Sequence, residues 1–431
     1  MKQTRVFSFL NERDRDAVSL AWEMSLAFVV HSALDLTILE RAFRNVMQKQ
    51  VEARSAFRAT GSALRVETLA SSQFALSGVT SRRVSREEAL SLARAQASCP
   101  FASFNQPLVA LYVYPHTDGT TLIALQLCHL IADGVSAEML VNDLILAYLA
   151  DGVAPPSSGV SSFADYVDWE EAFLESEAGE AQRIFWRQRQ PPAPGLADLP
   201  YIAPPNGDAI KKGAVRRFEA DDREADAVDG RAKKLGATPF AVLLTCFMRA
   251  IADWSGNDFL PMSFAMARRH RKEFAGTLGD LAYASPTNCA VARDESFDAA
   301  VRSVAAEVQA MSNNQDFPVA ALDANWRSIA RAPAQGLPGF PQITFGPLSG
   351  LRHDRFSLSG LLHAPAGTKL KLGAMEVESV SLGTVTCPRD LHVSYIMRPH
   401  GVTFAVNYNA DRLGEAAIDA LANGMIAQLR S

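Results

Sequence analysis

One short segment of the sequence combines residue types and spacing that could perform chemistry, CHLIADG at residues 128–134. His129 stands near the end of a long apolar run, where its imidazole can face a cleft while the preceding residues are buried. A neutral imidazole, with a pKa near ~6.5, is the commonest general base at neutral pH. The alternative is a core histidine whose ring hydrogen-bonds a backbone carbonyl, and spacing alone leaves both interpretations open.

Asp133 and Gly134 end the segment as an Asp-Gly pair. These residue types favour a tight turn into a helix, and turn formation alone would account for both. A carboxylate buried behind a catalytic histidine also needs a cation close to it, because an unpaired buried charge is strongly destabilising. We therefore expect an arginine from elsewhere in the chain to pair with Asp133.

The same segment offers ligands for zinc and a cysteine nucleophile. His129 and Asp133 could both bind zinc, but a catalytic zinc site needs a third ligand at matched spacing, and the other histidines are scattered singly. No metal site is therefore predicted. Cys128 adjoins His129, but adjacent strand residues point to opposite faces and cannot readily form a nucleophile and base pair. Cys128 is predicted to be a small buried hydrophobic residue.

A strand and a helix must hold this segment in place. TLIALQLCHLI (121–131) is a nearly continuous apolar run, as expected of a strand that is covered on both faces. VSAEMLVNDLILAYLADG (135–152) is predicted to be a helix with Leu140, Leu144 and Tyr148 on one stripe. The candidate residues thus lie where a buried strand passes into a helix.

Other predicted elements alternate along the chain. DLTILERAFRNVMQKQ (35–50) predicts an amphipathic helix with Asp35 as its N-cap. TPFAVLLTCFMRAIADWSG (238–256) predicts a helix that begins with Thr238 at the N-cap and Pro239 at the first position. FADYVDWEEAFLESEAGEAQRIFWRQR (163–189) is predicted to be one long acidic helix, and LHVSYIMRP with VTFAVNYNAD a hairpin.

A segment dense in proline and glycine, QPPAPGLADLPYIAPPNGD (190–208), divides the chain into two halves. Neither helix nor strand tolerates that composition. The second half opens on a predicted strand, AVRRFEA, and again alternates helix and strand. We expect an α/β fold of two domains, 1–185 and 186–431.

Composition restricts the class of protein and its partners. Of the 431 residues, 48% are hydrophobic and 21% are charged, as in an ordinary globular protein. The net charge is -5 and the one short basic run is RRHRK (268–272), so nucleic acid is not expected as a partner. The five cysteines are scattered, and neither an apolar signal segment nor a long uncharged apolar run occurs. These features predict a cytoplasmic protein without disulfides or membrane contact.

The motif segment and several later stretches resemble a known family. CHLIADG is similar to the HHxxxDG motif of nonribosomal peptide synthetase condensation domains and related acyltransferases of the chloramphenicol acetyltransferase superfamily. Similar stretches follow in the family's order: FADYVDWEEAF, MSFAMARRHRKE, ASPTNCAVAR and NNQDFPVAAL. The resemblance spans nearly the whole chain. It implies two chloramphenicol acetyltransferase-like subdomains in a V arrangement, with the active site in a tunnel between them.

The resemblance assigns roles to the motif residues. His129 matches the second motif histidine, which faces the acyl centre and would orient or deprotonate the acceptor. Asp133 matches the motif aspartate, whose arginine partner would be Arg269, or Arg271 if the register is shifted. This ion pair would hold the turn that presents His129.

Three further residues would support the active site. Cys128 occupies the position of the first motif histidine, which faces away from the substrate, so this replacement need not abolish activity. Gly134 would leave room for the substrate, and backbone N–H groups at the following helix start could stabilise an oxyanion. Asn288 matches the asparagine of the family's Phe-Val-Asn-Thr stretch, although strand-end hydrogen bonding explains it equally well.

The function implied by the resemblance is that of a free-standing condensation enzyme in natural-product biosynthesis, such as antibiotic biosynthesis. It would transfer an acyl or peptidyl group from a carrier-protein thioester to an amine or alcohol. No cofactor is expected on the chain, because the phosphopantetheine arm belongs to a separate carrier protein. The alternatives are an acyl-CoA-dependent acyltransferase and a non-catalytic recruitment module. Loss of the first motif histidine favours the module, whereas retention of His129, Asp133 and Gly134 opposes it.

Overall fold

Within the residues that it describes, the computed structural model of the chain shows a mixed α/β fold with two six-stranded sheets and a two-stranded sheet. It describes residues 23–60, 63–79, 81–155, 161–189, 199–203, 212–258, 262–287, 289–322, 343–347, 361–362, 364–373, 375–383, 387, 389–398 and 401–430. Helices and strands alternate along both halves of the chain, as the sequence predicts.

The elements have the following bounds. The strands are β1 (Glu23–Val30), β2 (Ser55–Thr60), β3 (Ala63–Thr68), β4 (Leu76–Gly78), β5 (Val109–Pro115), β6 (Thr121–Cys128), β7 (Gly213–Ala220), β8 (Met262–Met266), β9 (Tyr283–Thr287), β10 (Ile343–Pro347), β11 (Lys369–Leu372), β12 (Met375–Ser379), β13 (Leu391–Arg398) and β14 (Gly401–Asn409). The helices are α1 (Leu36–Lys49), α2 (Arg86–Ala97), α3 (Gly134–Leu149), α4 (Phe163–Leu174), α5 (Glu177–Gln188), α6 (Asp222–Leu235), α7 (Pro239–Ser255), α8 (Phe297–Asn313) and α9 (Glu415–Arg430).

Across this described part of the chain no single helix is long and apolar enough to span a membrane. The bent pair α6 and α7 passes that test jointly, by length and composition only.

The chain divides into two compact units. Unit 1 contains the residues up to Trp169 together with Arg269–Leu281 and Ser349–Gly383, and unit 2 contains the others. The continuous domains predicted from the sequence, 1–185 and 186–431, differ from these units. The first division falls inside α4, and two later segments belong to unit 1 because their contacts lie there.

The sheet of unit 1 has the strand order β11-β12-β1-β6-β5-β4, so that β6 lies between two antiparallel neighbours. Alternate residues of β6 enter different cores. Leu125 and Leu127 pack with the apolar faces of α1 and α3, whereas Leu122 and Ala124 pack with that of α2. Both faces of β6 are therefore buried, which accounts for its continuous apolar sequence.

Helix α1 shows how the local sequence determines one wall of this core. Its N-cap, Asp35, accepts the backbone N–H groups of Thr37 and Ile38 at 2.8 and 3.2 Å. The apolar residues at helical spacing are all buried, and burial of each side chain larger than alanine stabilises the fold by about 1.5–3 kcal/mol. They are Leu39, Ala42, Phe43, Val46 and Met47.

The sheet of unit 2 has the order β7-β14-β13-β10-β8-β9. Strands β13 and β14 form the predicted antiparallel hairpin, while β10 pairs in parallel with β13 and β8. Helix α7 begins after its Thr238 cap, as predicted, and stacks Phe247 on Phe345 with ring centroids 5.1 Å apart.

The prediction of one helix over 163–189 is wrong, because α4 ends at Leu174 and α5 begins at Glu177. Ser176 caps α5 by accepting the N–H of Gly179 at 3.0 Å. Gly179 itself lies so close to the Phe173 carbonyl that no Cβ atom fits there. Polar residues on an exposed helix and in a break between helices follow similar patterns, so periodicity did not indicate the break.

Candidate active site

The segment CHLIADG lies where β6 passes into α3. Cys128 is the last residue of β6, and the N–H of Ile131 donates to the Cys128 carbonyl at 3.1 Å, which turns the chain. Asp133 then caps α3 through its Oδ1, which accepts the N–H of Ser136 at 2.9 Å. The buried strand fixes one end of the segment and the helix cap fixes the other.

Cys128 and His129 occupy different environments although they are neighbours in sequence. Cys128 is fully buried in the apolar layer of α1 and α3, and this burial raises the pKa of its thiol to about 12. The thiol is therefore protonated at neutral pH and unreactive. The His129 side chain, in contrast, is 38% exposed.

We expect Cys128→Ala to keep most of the activity and to lower stability by about 1 kcal/mol, because the change leaves a void the size of one sulfur. Thiol reagents should modify Cys128 slowly in the native protein. Peptide mass spectrometry would measure this, with the exposed Cys99 as a control for the reagent. A folded but inactive variant, together with an acyl adduct trapped on Cys128, would contradict this expectation and indicate a cysteine nucleophile.

Asp133 and Arg269 form a buried bidentate ion pair. Nη1 of Arg269 lies 2.5 Å from Oδ2 of Asp133, and Nη2 lies 3.0 Å from Oδ1. The Arg269 side chain is 7% exposed and the Asp133 side chain is 1% exposed. Arg271, the alternative partner, instead lies over the Trp169 ring at 4.6 Å. The pairing expected for Arg269 is therefore present, and each buried charge offsets the desolvation of the other.

The same residues hold a second segment, 277–281, against the turn. Oδ2 of Asp133 accepts the N–H of Leu281 at 3.1 Å, and the N–H of Asp133 donates to the Gly279 carbonyl at 3.2 Å. The hydroxyl of Ser136 accepts the N–H of Gly279 at 3.0 Å. The start of α3 and segment 277–281 thus form one hydrogen-bonded structure.

Aromatic packing supports segment 277–281. Gly279 lies against the Phe163 ring, where a Cβ atom would collide, so the residue must be glycine. The Tyr166 ring is 5.9 Å from the Phe163 ring and 5.2 Å from the Phe274 ring, centroid to centroid. Leu281 is buried in this cluster. These contacts restrict the position of the residue between Gly279 and Leu281.

That residue is Asp280, whose carboxylate faces His129. Nδ1 of His129 and Oδ1 of Asp280 are 3.6 Å apart. Burial raises the pKa of Asp280 to about 7; the His129 charge opposes this rise, Asp133 adds to it and Arg269 opposes it. In an imidazole and a buried carboxylate this close together, the charge of each group affects the protonation of the other.

The start of α3 has space beside it. A Cβ atom at Gly134 would find nothing within 4 Å, in agreement with the expectation that this position leaves room for a substrate. The N–H of Ser136 already donates to Asp133, so it does not belong to an oxyanion site. The predicted oxyanion role thus concerns the N–H groups of Gly134 and Val135.

Sequence reasoning missed Ser136, Gly279 and Asp280. The signal available was the Gly-Asp pair at 279–280, which is separated from the ASPTNCAVAR stretch by residues 281–283. Asn288 lies outside the described residues, and its role stays a prediction. Within the described ranges, no three His, Cys, Asp or Glu side chains are grouped so as to hold a metal ion.

Comparison with known proteins identifies the family. The model of the condensation domain family matches residues 3–334, so the chain belongs to this family. The family includes domains that form amide and ester bonds in nonribosomal peptide and polyketide synthesis, and it also includes non-catalytic X-domains. The chain is 28% identical over 235 residues to phosphinothricin tripeptide synthetase PhsC of Streptomyces viridochromogenes. That match covers 53% of the chain and 22% of the synthetase, so the chain spans a minor part of this relative's length.

Solved structures show the same fold. The X-domain from teicoplanin biosynthesis superimposes with a TM-score of 0.76 at 17% identity, covering 99% of this chain and 92% of the X-domain. The first condensation domain of the calcium-dependent antibiotic synthetase, solved with a substrate analogue, gives a TM-score of 0.70 at 16% identity, covering 99% and 93%. The mixed α/β fold predicted from the sequence is thereby confirmed as the condensation-domain fold.

Proposed function

We propose that the chain is a condensation enzyme that transfers an acyl or peptidyl group from a carrier-protein thioester to an amine or alcohol. The observation that supports this proposal is the partly open His129 on a turn locked by the buried Asp133–Arg269 pair. A general base must be both accessible and fixed in position. The phosphopantetheine arm belongs to the carrier protein, so the chain itself requires no cofactor.

In the proposed reaction, the nitrogen or oxygen of the acceptor attacks the thioester carbonyl while His129 takes the proton from that atom. The N–H groups of Gly134 and Val135 stabilise the negative charge on the carbonyl oxygen of the tetrahedral intermediate. The C–S bond then breaks, and the imidazolium returns its proton to the thiolate of the phosphopantetheine arm. The products are an amide or ester and a free thiol, and His129 is restored.

A reconstituted assay tests this function. Fatty-acyl and aminoacyl groups are loaded on a phosphopantetheinylated carrier protein and offered with amine and alcohol acceptors. We expect amide or ester product, detected by mass spectrometry, that depends on the wild-type chain. Absence of product from every donor and acceptor pair, with folded protein, would contradict the proposal.

An acyl-CoA-dependent acyltransferase is the nearest alternative, because CoA presents the same thioester to His129. The two functions differ in whether the enzyme also contacts a carrier protein. With one acyl group on both donors, we expect kcat/KM for the carrier to exceed that for CoA by at least about tenfold, equivalent to about 1.4 kcal/mol of additional contact. Comparable values would favour the CoA-dependent enzyme.

A non-catalytic recruitment module is a second alternative, which Cys128 in place of the first motif histidine favours. Such a module would bind another biosynthetic enzyme and turn over no thioester. A stable complex of that kind, together with the absence of product in the reconstituted assay, would support this alternative. The buried Asp133–Arg269 pair does not separate the two functions, since either requires a folded turn.

A further inference from the structure

Asp280 is the charged residue beside His129 that the proposed mechanism does not use. Its Oδ1 lies 3.6 Å from Nδ1 of His129, and its side chain is 11% exposed. This distance is longer than a hydrogen bond, but a movement of about 0.7 Å would close it. Catalytic hydrogen bonds are often long before the substrate binds. The contact is therefore of the kind that tightens in a loaded active site.

The main chain on both sides of Asp280 is hydrogen-bonded to the turn. Ser136 and Gly279 exchange two hydrogen bonds, since the Ser136 hydroxyl contacts the carbonyl at 2.9 Å and the N–H at 3.0 Å. The N–H of Leu281 donates to Asp133 at 3.1 Å. The main chain that carries Asp280 is thus held beside the turn by Ser136 and Asp133, which also fix the start of α3.

Three charged or titratable groups shift the pKa of Asp280 in the described structure: His129 on the turn after β6, Asp133 at the N-cap of α3, and Arg269 in the segment after β8. The Cys128 thiol, whose pKa Asp280 helps to raise, is a fourth titratable group in range, but it is neutral at pH 7. Asp133 and Arg269 form a bidentate pair and largely cancel each other's charge at Asp280. His129 is consequently the group whose protonation Asp280 can most affect.

We propose, on the basis of the proposed function, that Asp280 is the positioning residue of His129. Its carboxylate keeps the proton of the neutral imidazole on Nδ1, which leaves the Nε2 lone pair to take the proton of the acceptor N–H or O–H. When Nε2 is protonated, the ionised Asp280 stabilises the imidazolium. In the ionised form that performs this role, Asp280 keeps its charge while the proton passes from the acceptor to His129 and then to the thiolate.

Asp280→Asn tests this role without changing the shape of the side chain. We expect kcat to fall about 10–100-fold with little change in KM, because the ring loses its orienting charge. The rising limb of kcat/KM against pH should also move to lower pH by about one unit, because a carboxylate no longer stabilises the imidazolium. A residue with a merely structural role would not move this limb.

Glu23→Gln is the matched control. Burial raises the pKa of Glu23, like that of Asp280, to about 7. Its carboxylate, however, accepts the N–H of Phe101 at 2.9 Å and the amide of Gln126 at 3.2 Å. We expect this variant to keep the wild-type kcat and pH profile. An equal fall of kcat in both variants would show that removing any buried carboxylate lowers activity, and it would overturn the assignment to Asp280.

The stability of Asp280→Asn provides a second measurement. The folded state prefers the protonated Asp280 because its pKa is raised to about 7. The stability that this preference provides is lost as pH rises toward and through about 7, since the unfolded carboxyl ionises near ~3.9. Asparagine does not ionise, so the variant should melt above the wild type at about pH 8, with a smaller difference at about pH 5. Lower activity in a more stable protein excludes misfolding as the cause.

Nitrogen NMR separates failure of this inference from failure of the proposed function. The protein is labelled with ¹⁵N in its histidine rings. The ring signals that are present in the wild-type spectrum and absent from the spectrum of His129→Ala are assigned to His129. We expect the Nδ1–H tautomer in the wild type and a shift toward the other tautomer in Asp280→Asn, whether or not acyl transfer is detected. An Nε2–H tautomer in the wild type, or an unchanged tautomer and pH profile in the variant, would overturn the role of Asp280.

Discussion

His129→Ala is expected to lower kcat of acyl transfer by about 10²–10⁴-fold, because a positioned general base contributes that much to the rate. The protein should remain folded, since the side chain is 38% exposed and its removal leaves no closed cavity. The measurements are kcat with a carrier-bound donor and the thermal midpoint of unfolding. The midpoint is expected to stay within about 2 °C of the wild type.

His31→Ala is the control for this substitution. His31 follows β1 at the end where Val30 pairs with Thr121, the opposite end of β6 from Cys128. It contacts Glu378, with Nε2 2.5 Å from Oε2. We expect its removal to leave kcat unchanged. Full activity in folded His129→Ala would exclude His129 from the mechanism.

The features predicted correctly from the sequence depend on local physics. The buried face of α1 follows from residues three and four apart, and its N-cap from Asp35 immediately before it. The complete burial of β6 follows from its continuous apolar run. Cys128 and His129 differ in burial because one ends the strand and the other begins the turn.

The features missed by the sequence depend on contacts between distant residues. Asp280 meets His129 because segment 277–281 is bound by Ser136 and Asp133, and no periodicity connects these positions. The resemblance to the family identified Arg269, but it did not single out Asp280. The division of the chain at Trp169 was missed for the same reason. A proline-rich segment indicates a linker, but the two units are defined by contacts between distant residues.

The buried carboxylates at the site differ in what compensates their burial. Asp133 has a bidentate arginine and two backbone N–H groups, so its charge is fully paired. Asp280 faces an imidazole at 3.6 Å, and burial raises its pKa to about 7. The first arrangement stabilises the fold. The second lowers stability, but it places beside His129 a carboxyl whose protonation depends on the charge of the imidazole. The two aspartates should therefore respond to substitution in opposite ways.

Asp133→Ala is accordingly expected to lower the free energy of unfolding by about 3–5 kcal/mol, because it leaves the buried Arg269 without its partner. The thermal midpoint should fall by about 5–10 °C. Asp35→Ala is a matched control, since Asp35 also caps a helix and also accepts two backbone N–H groups, but is exposed. Loss of that cap should lower stability by about 0.5–2 kcal/mol. Equal effects of the two substitutions would contradict a stabilising Asp133–Arg269 pair.

A double-mutant cycle separates the ion pair from the other contacts of Asp133. Arg269→Met removes the cation and keeps much of its apolar volume, so the double variant has no unpaired buried charge. We expect it to be less destabilised than the sum of the two single variants by about 2–3 kcal/mol. Both single variants should also lose activity, because Asp133 binds Leu281 and so holds Asp280 at His129. Additive effects on stability would show that the two charges do not interact, and unchanged activity would show that the turn keeps its shape without them.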